Sequence, residues 1–236
     1  MTASGAQRWA TALRWCSLLA YVPLAHVAGT TSSPAWAAAA LVDLVVLLLI
    51  EGLCAPRLWA WLTAAACLAA IAVLVATDLA LMPLLLVPVA FIGMVAWWFG
   101  RSLRAGRTPL VTRIVAGIYG QTMAQLSPQH HRYTRTLTGF WAGLLGSLAL
   151  LNLTLALIAV PDGVLARIGI AAPITVTRAQ WSLFANVLNY GVVGGAMVVE
   201  YHWRKRVFPQ RPYRNFVEFV RRMAALGPGF WRDLFR

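Results

Sequence analysis

Long apolar runs separated by short polar connections occupy this chain as far as residue 204. Each run has the roughly 20 residues that a helix needs to cross the hydrocarbon core of a bilayer. The expected fold class is therefore all-α: a polytopic membrane helix bundle of residues 1–204, in which Pro83 and Pro88 kink the fourth span. The pattern predicts six spans, at residues 9–29, 34–52, 58–77, 79–100, 137–160 and 181–203.

The first apolar run also has a second interpretation. Ala35-Trp36-Ala37 resembles the cleavage site that follows a secretory signal peptide. Pro23 and His26 lie inside the run and suit a packed bundle helix better, so we expect a retained span.

The amino-acid composition also indicates a membrane protein. Hydrophobic residues make up 60% of the chain and charged residues 11%, whereas soluble domains carry about 25% charged residues. The net charge is +13, from 20 Lys and Arg against 7 Asp and Glu. These cations flank apolar runs, which is typical of topology signals and of contact with anionic membrane lipids. We expect no nucleic acid partner.

The placement of the cations predicts the orientation. With both termini in the cytoplasm, eighteen of the 20 Lys and Arg residues lie on the cytoplasmic side, and only Arg167 and Arg178 lie outside. This asymmetry follows the positive-inside rule. An odd number of spans would place the residues 101–135 and the tail on opposite sides of the membrane.

The stretch 101–135 is predicted as a basic cytoplasmic loop with turns set by Pro and Gly. Guanidinium groups at this density can bind phosphate or carboxylate groups with paired hydrogen bonds. The alternative is that they only stop translocation and contact lipid. The candidate binding residues are Arg101, Arg104, Arg107, Arg113, Arg132 and Arg135.

The tail, residues 205–236, combines arginines with apolar residues at helical spacing. Phe216, Val217, Phe219, Val220 and Met223 predict one apolar helix face. Such a helix is typical of a segment that lies on an anionic membrane surface. A helix that binds a partner protein is the alternative.

Ionisable residues within spans are costly, which makes them functional candidates. Asp43 lies at the middle of the second span and His26 in the outer half of the first. Both are candidate catalytic residues, and the alternative for each is a hydrogen-bonded group that fixes helix register. Arg14 and Glu51 lie at similar depth, so an antiparallel pair of spans brings them together.

The last two spans carry amides and glycines. Asn152, Asn186, Asn189 and Tyr190 predict an intramembrane polar cluster, whether as helix-to-helix hydrogen bonds or as a binding pocket. Glycines spaced about one helical turn apart let two helix backbones approach closely. We therefore expect the fifth and sixth spans to pack together through their glycines. The glycines are Gly139, Gly143, Gly146, Gly191 and Gly195.

Familiar catalytic and metal-binding patterns are absent from the sequence. Cys16, Cys54 and Cys67 have no metal-ligand spacing, so neither a metal site nor a cofactor is expected. His130 and His131 have no Asp, Glu or Cys nearby in the sequence to complete an acid–base site, which favours a solvated loop. The sequence leaves enzyme activity undecided and leans against it.

Three short stretches resemble a family of bacterial inner-membrane proteins encoded with aryl polyene pigment genes, the xanthomonadin-like type II polyketide clusters. They are residues 99–113, Tyr133-Thr134-Arg135 with Trp141, and residues 181–190. Members are sometimes labelled as ketosynthases, which resemble a thiolase fold with a Cys nucleophile and two His partners. Here the cysteines lie in or beside spans, so the resemblance implies an accessory role at the inner membrane.

The resemblance also implies a partner. Type II pathways carry growing chains on acyl carrier proteins, which are generally acidic, so an arginine-rich cytoplasmic face can attract such a carrier. The function expected is a membrane scaffold for polyene-lipid pigment assembly that docks an acidic acyl carrier protein or a lipid phosphate on its basic cytoplasmic face. Other enzymes of the pathway are further candidate partners. A membrane-embedded acyl or polyenyl transferase and a lipid or pigment transporter are the alternatives.

Overall fold

The computed structural model describes residues 3–55, 57–161, 163–177, 180, 183–184, 189–209 and 212–234. Within these ranges the regular structure is helical apart from two short strands, β1 (Ala159–Val160) and β2 (Val176–Thr177), which pair in parallel. The helices are α1 (Ala3–Thr31), α2 (Pro34–Cys54), α3 (Leu58–Ala76), α4 (Leu81–Ser102), α5 (Leu110–Tyr119), α6 (Pro128–Ile158), α7 (Val164–Arg167), α8 (Asn189–Val207), α9 (Phe216–Ala225) and α10 (Gly227–Leu234).

Four of the helices in this described part, α2, α3, α4 and α6, are long and apolar enough to cross a membrane. The helical fold class is thus confirmed, and the chain has the helices of a membrane protein. α1 and α8 fall on the first and sixth predicted spans. Trp181, where the sixth was predicted to begin, lies outside the described residues. The count of six stays a prediction.

The segment predicted as a loop, residues 101–135, is largely helical. It contains α5, a 3-10 turn at Met123–Gln125 and the first two turns of α6. Sequence reasoning missed α5 because it sought runs long enough to span a bilayer, and α5 has only 10 residues. The apolar residues of α5 face the protein instead of lipid.

The chain forms two compact units. The first consists of Met1–Val87 and Pro161–Pro173, the second of Pro88–Val160 and Ile174–Arg236. In the first unit, Ala28, Ala37 and Ala80 are buried against one another and covered by larger apolar side chains. Small residues at such contacts let helix backbones approach closely, so dispersion contacts hold this unit together.

The ion pair predicted between the first two spans is present. Arg14 Nη2 donates to Glu51 Oε1 at 2.8 Å, which joins α1 to α2. Its position confirms that these helices run antiparallel with the expected offset. The sequence revealed the pair because the two charges lie at matching distances from the turn between α1 and α2.

Pro83 does not kink the fourth span as predicted. α4 begins at Leu81, so Pro83 lies in the first turn, where its missing N–H would have had no partner within the helix. Pro88 lies inside the helix and removes one backbone hydrogen bond there.

In the second unit, side-chain hydroxyls attach α5 to its neighbours. Thr112 and Thr134 share a buried hydrogen bond of 2.7 Å between their hydroxyls. Thr138 Oγ1 accepts from the backbone N–H of Val111, and Ser102 Oγ accepts from that of Leu110. The first N–H groups of a helix lack partners within it, so these hydroxyls satisfy the start of α5 and fix it against α6.

The tail folds back onto α5. An ideal Cβ added to Gly117 would lie 3.0 Å from Leu226 and 3.1 Å from Phe230. Arg113 donates through Nη1 to the carbonyl of Leu234 and through Nη2 to that of Asp233, which caps the end of α10. The tail is therefore a packed part of this unit.

α9 has a well-formed start. Asn215 Oδ1 accepts from the backbone N–H of Glu218, and Glu218 Oε2 accepts from that of Arg214. The hydrogen bond from Arg214 holds the pKa of the Glu218 carboxyl below its usual value, and Arg222 adds to the effect. The negative charge of Glu218, in the first turn of α9, also interacts favourably with the positive end of the helix dipole.

The predicted packing of the fifth and sixth spans through glycine is wrong for the described residues. A Cβ at Gly143, Gly146, Gly191 or Gly195 would meet nothing within 4 Å, and one at Gly139 would meet only Leu103, at 3.8 Å. The spacing was correct for close approach, but spacing cannot show which helix faces the glycines.

We predict that Gly117→Val loosens the tail, because the new side chain overpacks the contact with Leu226 and Phe230. The expected cost is about 1–3 kcal/mol. Limited trypsin digestion of the protein in detergent should cut the arginine-rich tail faster than in the parent. Gly143→Val is the matched control, since its side chain enters open space. Equal digestion rates for the two variants would refute the close contact.

Candidate functional site

The six predicted binding arginines do not behave as one cluster, because three of them contact the protein itself. Arg101 lies over the ring of Trp97 at 4.8 Å. Arg135 Nη2 donates to the carbonyl of Leu103 at 3.2 Å. Arg113 caps α10. A guanidinium occupied by a ring or by internal carbonyls is less available to a partner. These three arginines therefore have mainly a structural role.

The other three arginines remain available. Arg104 and Arg107 are exposed on the connection between α4 and α5, where Gly106 takes a left-handed conformation (φ 78°). Arg132 is exposed on the second turn of α6. Within the described residues the structure gives none of these side chains a hydrogen bond, an ion pair or an aromatic contact. They are the part of the predicted site that can meet an anionic partner.

The second unit offers little negative charge to neutralise these cations. Its described residues include thirteen Lys and Arg side chains against the carboxylates of Glu200, Glu218 and Asp233. Glu200 is paired with Arg204, and Glu218 with Arg222 at 3.3 Å. The unit is therefore strongly basic, and its field attracts anions over about one Debye length.

A buried polar network lies where α6 and α8 meet. The Tyr133 hydroxyl donates to Glu200 Oε1 at 2.9 Å. Arg204 Nε lies 3.1 Å from the same oxygen, and the side chains of Arg204 and Glu200 are only 12% and 13% exposed. That Nε lacks the alignment of a hydrogen bond, so charge and stacking hold the pair. Separating either charge from the other would leave it poorly solvated.

Aromatic rings enclose this network. The Arg204 guanidinium lies 4.6 Å from the ring centre of Phe219 and 5.7 Å from that of Tyr213. Phe208 meets Tyr133 edge-on at 5.2 Å. The cavity that remains is about 10 Å³, which is space for about one water and for no substrate. The network therefore joins α6, α8 and α9 and is not a binding pocket.

His130 belongs to the same cluster, so the expectation of a solvated loop is wrong for it. Its ring stacks on Phe208 at 4.1 Å and meets Tyr119 edge-on at 5.4 Å. Its Nδ1 is 2.7 Å from Ser127 Oγ, while its buried Nε2 has no hydrogen-bond partner in the described part of the chain. His131 is exposed, and its Nε2 donates to the carbonyl of Met123.

The intramembrane polar cluster is present in part. Asn152 and Asn189 exchange two amide hydrogen bonds, each 2.9 Å, which link α6 to α8. Tyr190 is 76% exposed and takes no part, and Asn186 lies outside the described residues. Amides paired in this way satisfy each other in an apolar medium, as expected for helix-to-helix hydrogen bonds.

The two catalytic candidates lie in the first unit, and in the described part of the chain no hydrogen bond or ion pair joins them. Asp43 Oδ2 is buried in α2 without a hydrogen-bond partner among the described residues, although Tyr21 of α1 is near enough to interact electrostatically. His26 is exposed on α1. The described residues also contain no group of three His, Cys, Asp or Glu side chains that could hold a metal ion.

Sequence reasoning missed Tyr133, Glu200, Arg204 and Tyr213 as a unit. One signal was available: Glu200 and Arg204 are one helical turn apart at the end of the last span, an arrangement that favours an ion pair. Tyr133 lies 67 residues before Glu200, so no local pattern could have joined them.

We predict that Glu200→Ala destabilises the protein by about 3–5 kcal/mol, because Arg204 then stays buried without a counter-charge. Tyr133→Phe should cost about 1 kcal/mol, the value of one hydrogen bond. Reversible unfolding in mixed micelles measures both. The double variant Glu200→Leu/Arg204→Leu is the control, since it removes both charges and should recover most of the loss. A Glu200→Ala protein as stable as the parent would contradict a buried pair.

No protein-family model, no curated protein and no solved structure matches the chain.

Proposed function

We propose that this protein is a six-span protein of a bacterial inner membrane with both termini in the cytoplasm. The four apolar helices of spanning length support a membrane location. The distribution of cations supports the orientation, because only Arg167 and Arg178 would lie outside. The Arg14–Glu51 pair is consistent with an antiparallel first pair of spans.

In this proposal the protein is an accessory scaffold that docks an acidic carrier protein on its cytoplasmic face. The observation that carries it is the exposure of Arg104, Arg107 and Arg132 without protein partners, in a unit whose carboxylates Glu200 and Glu218 are paired internally. Charges left unpaired at a surface cost little in water and remain available for an opposite charge. The carrier, not lipid, is the partner proposed for this surface.

The pathway proposed is aryl polyene or related polyketide-lipid pigment assembly. It rests on the resemblance of residues 99–113 and their neighbours, which contain Arg104 and Arg107. An apolar polyene chain delivered from a carrier has reason to enter a bilayer, since burial of each CH₂ group is worth about 0.8 kcal/mol. A scaffold that holds the carrier at the membrane would shorten that transfer.

We predict that the triple variant Arg104→Gln/Arg107→Gln/Arg132→Gln loses co-purification with an acidic acyl carrier protein of a type II polyketide pathway. Its insertion into the membrane should be unchanged, because the described part of the structure gives these side chains no hydrogen bond, ion pair or aromatic contact. Binding by the parent should weaken as salt rises, since exposed charges are screened beyond about 8 Å at 0.15 M. The affinity of the carrier for the protein in nanodiscs, measured by interferometry at several salt concentrations, tests the effect of the variant and the effect of salt.

The matched control is Arg214→Gln/Arg221→Gln/Arg232→Gln, which removes the same number of charges from the tail. A smaller loss in this control would show a local docking surface in place of general attraction to net charge. If both triple variants bind the carrier as tightly as the parent does, the proposed docking is wrong.

A second candidate function is acyl or polyenyl transfer within the membrane, which the buried, unpartnered Oδ2 of Asp43 favours. An ionisable group at the middle of a span is costly and is often kept for function. His26 is exposed and apart from Asp43, so the pair does not support an acid–base site. Transport of a lipid or pigment would use the same carboxyl and is the remaining alternative.

We predict that Asp43→Asn leaves product yield unchanged in cells if the protein is a scaffold, because the amide keeps the shape of the carboxyl. Pigment extracted from cells with matched protein levels is the measurement. Loss of product would favour transfer or transport over the scaffold, and product retained in the inner leaflet would single out transport.

A further inference from the structure

α9 is apolar over a wider arc than the protein covers. Phe219, Met223 and Leu226 are spaced to lie on one face, and this face turns inward: Phe219 meets Arg204, and Leu226 lies against Gly117. The docking of the tail thereby decides which residues of α9 point away from the protein. The sequence alone had placed Phe219 and Met223 in the membrane-facing set.

A second apolar face adjoins the first and is largely exposed. Phe216, Val217 and Val220 are 45%, 65% and 44% exposed, and Ala224 continues the same arc one turn later. The Phe216 ring meets Tyr201 of α8 edge-on at 6.0 Å, so this end of the face is partly covered. A helix on the surface of a soluble protein has polar residues opposite its packed face. On α9 half of the apolar arc is covered by the protein, so the other half is available to another apolar medium.

Cations border this open face. Arg221 follows Val217 by one turn and is exposed, and Arg214 is exposed just before the helix begins. Shallow apolar side chains next to cations match the interfacial region of a bilayer, where acyl chains lie directly beneath anionic headgroups.

We propose that the outer face of α9, formed by Phe216, Val217, Val220 and Ala224 with Arg221 beside it, docks on the anionic phospholipid surface of the membrane that the chain spans. The inference rests on the proposed membrane location and not on carrier docking. α9 then lies between α5 and the lipid surface. Its inner face packs against the protein, and its outer face contacts the headgroup region.

The test uses the full chain in nanodiscs, with Cys16, Cys54 and Cys67 replaced by Ser. A polarity-sensitive fluorophore is attached at Val220→Cys, and at Ala225→Cys as the matched control. Ala225 is exposed on the charged side of the same helix. Discs of phosphatidylcholine alone are compared with discs that also contain phosphatidylglycerol.

The expected result is blue-shifted emission at position 220 in the anionic discs, with quenching by lipids that carry a spin label near the headgroup. Position 225 should show neither, and Arg214→Gln/Arg221→Gln should abolish the shift at 220. Equal emission at the two positions in anionic discs would overturn the inference. So would shielding at 220 that appears only when an acidic protein is added, since the surface would then belong to a protein partner.

The lipid contact of α9 and the docking of a carrier protein are tested independently. The comparison of the two disc compositions is made without carrier protein, so a negative result there leaves carrier docking at Arg104, Arg107 and Arg132 untouched. Loss of carrier binding likewise has no effect on a fluorophore that reports lipid contact at α9.

Discussion

The guanidinium of Arg204 is largely withdrawn from water, and the second unit is organised around keeping it satisfied. A buried cation needs a counter-charge, and Glu200 provides it from the previous turn of α8. The carboxylate needs a further donor, and Tyr133 of α6 provides one. The faces of the guanidinium need covering, and Phe219 of α9 covers one of them. α6, α8 and α9 are thus held together around one ion pair, and α6 is distant from the other two in sequence.

That arrangement determines how the remaining arginines are used. With α9 fixed over Arg204, α10 comes to lie against α5, and Arg113 becomes the cap of its last turn. Arg135 is occupied by the end of α4 through the carbonyl of Leu103. The basic face is therefore divided into arginines that hold the fold and arginines that face outward. This division gives the docking proposal a definite set of residues.

α6 and α8 meet through a different chemistry. Asn152 and Asn189 satisfy each other across the two helices, whereas Gly143, Gly146, Gly191 and Gly195 have no neighbour in the described residues within 4 Å of an added Cβ. Polar side chains are scarce in an apolar medium and must find each other, whereas a glycine has no group that needs a partner. Hydrogen bonds, and not close backbone contact, specify how these helices meet.

The sequence by itself determined the helical class, the approximate bounds of α2, α3 and α4, and the Arg14–Glu51 pair. These follow from local properties: the length of an apolar run, and the depth of a charge within a hairpin. It also identified Asn152 and Asn189, because an amide in an apolar run is costly without a partner and often pairs with another helix.

Only the tertiary structure decided which of the six arginines contact the protein itself, which half of the apolar arc of α9 is covered, and that Tyr133, Glu200 and Arg204 form one network. Each of these depends on contacts between residues far apart in the chain. Periodicity predicts that a helix has an apolar face, but what covers that face is set by the neighbours that folding brings to it.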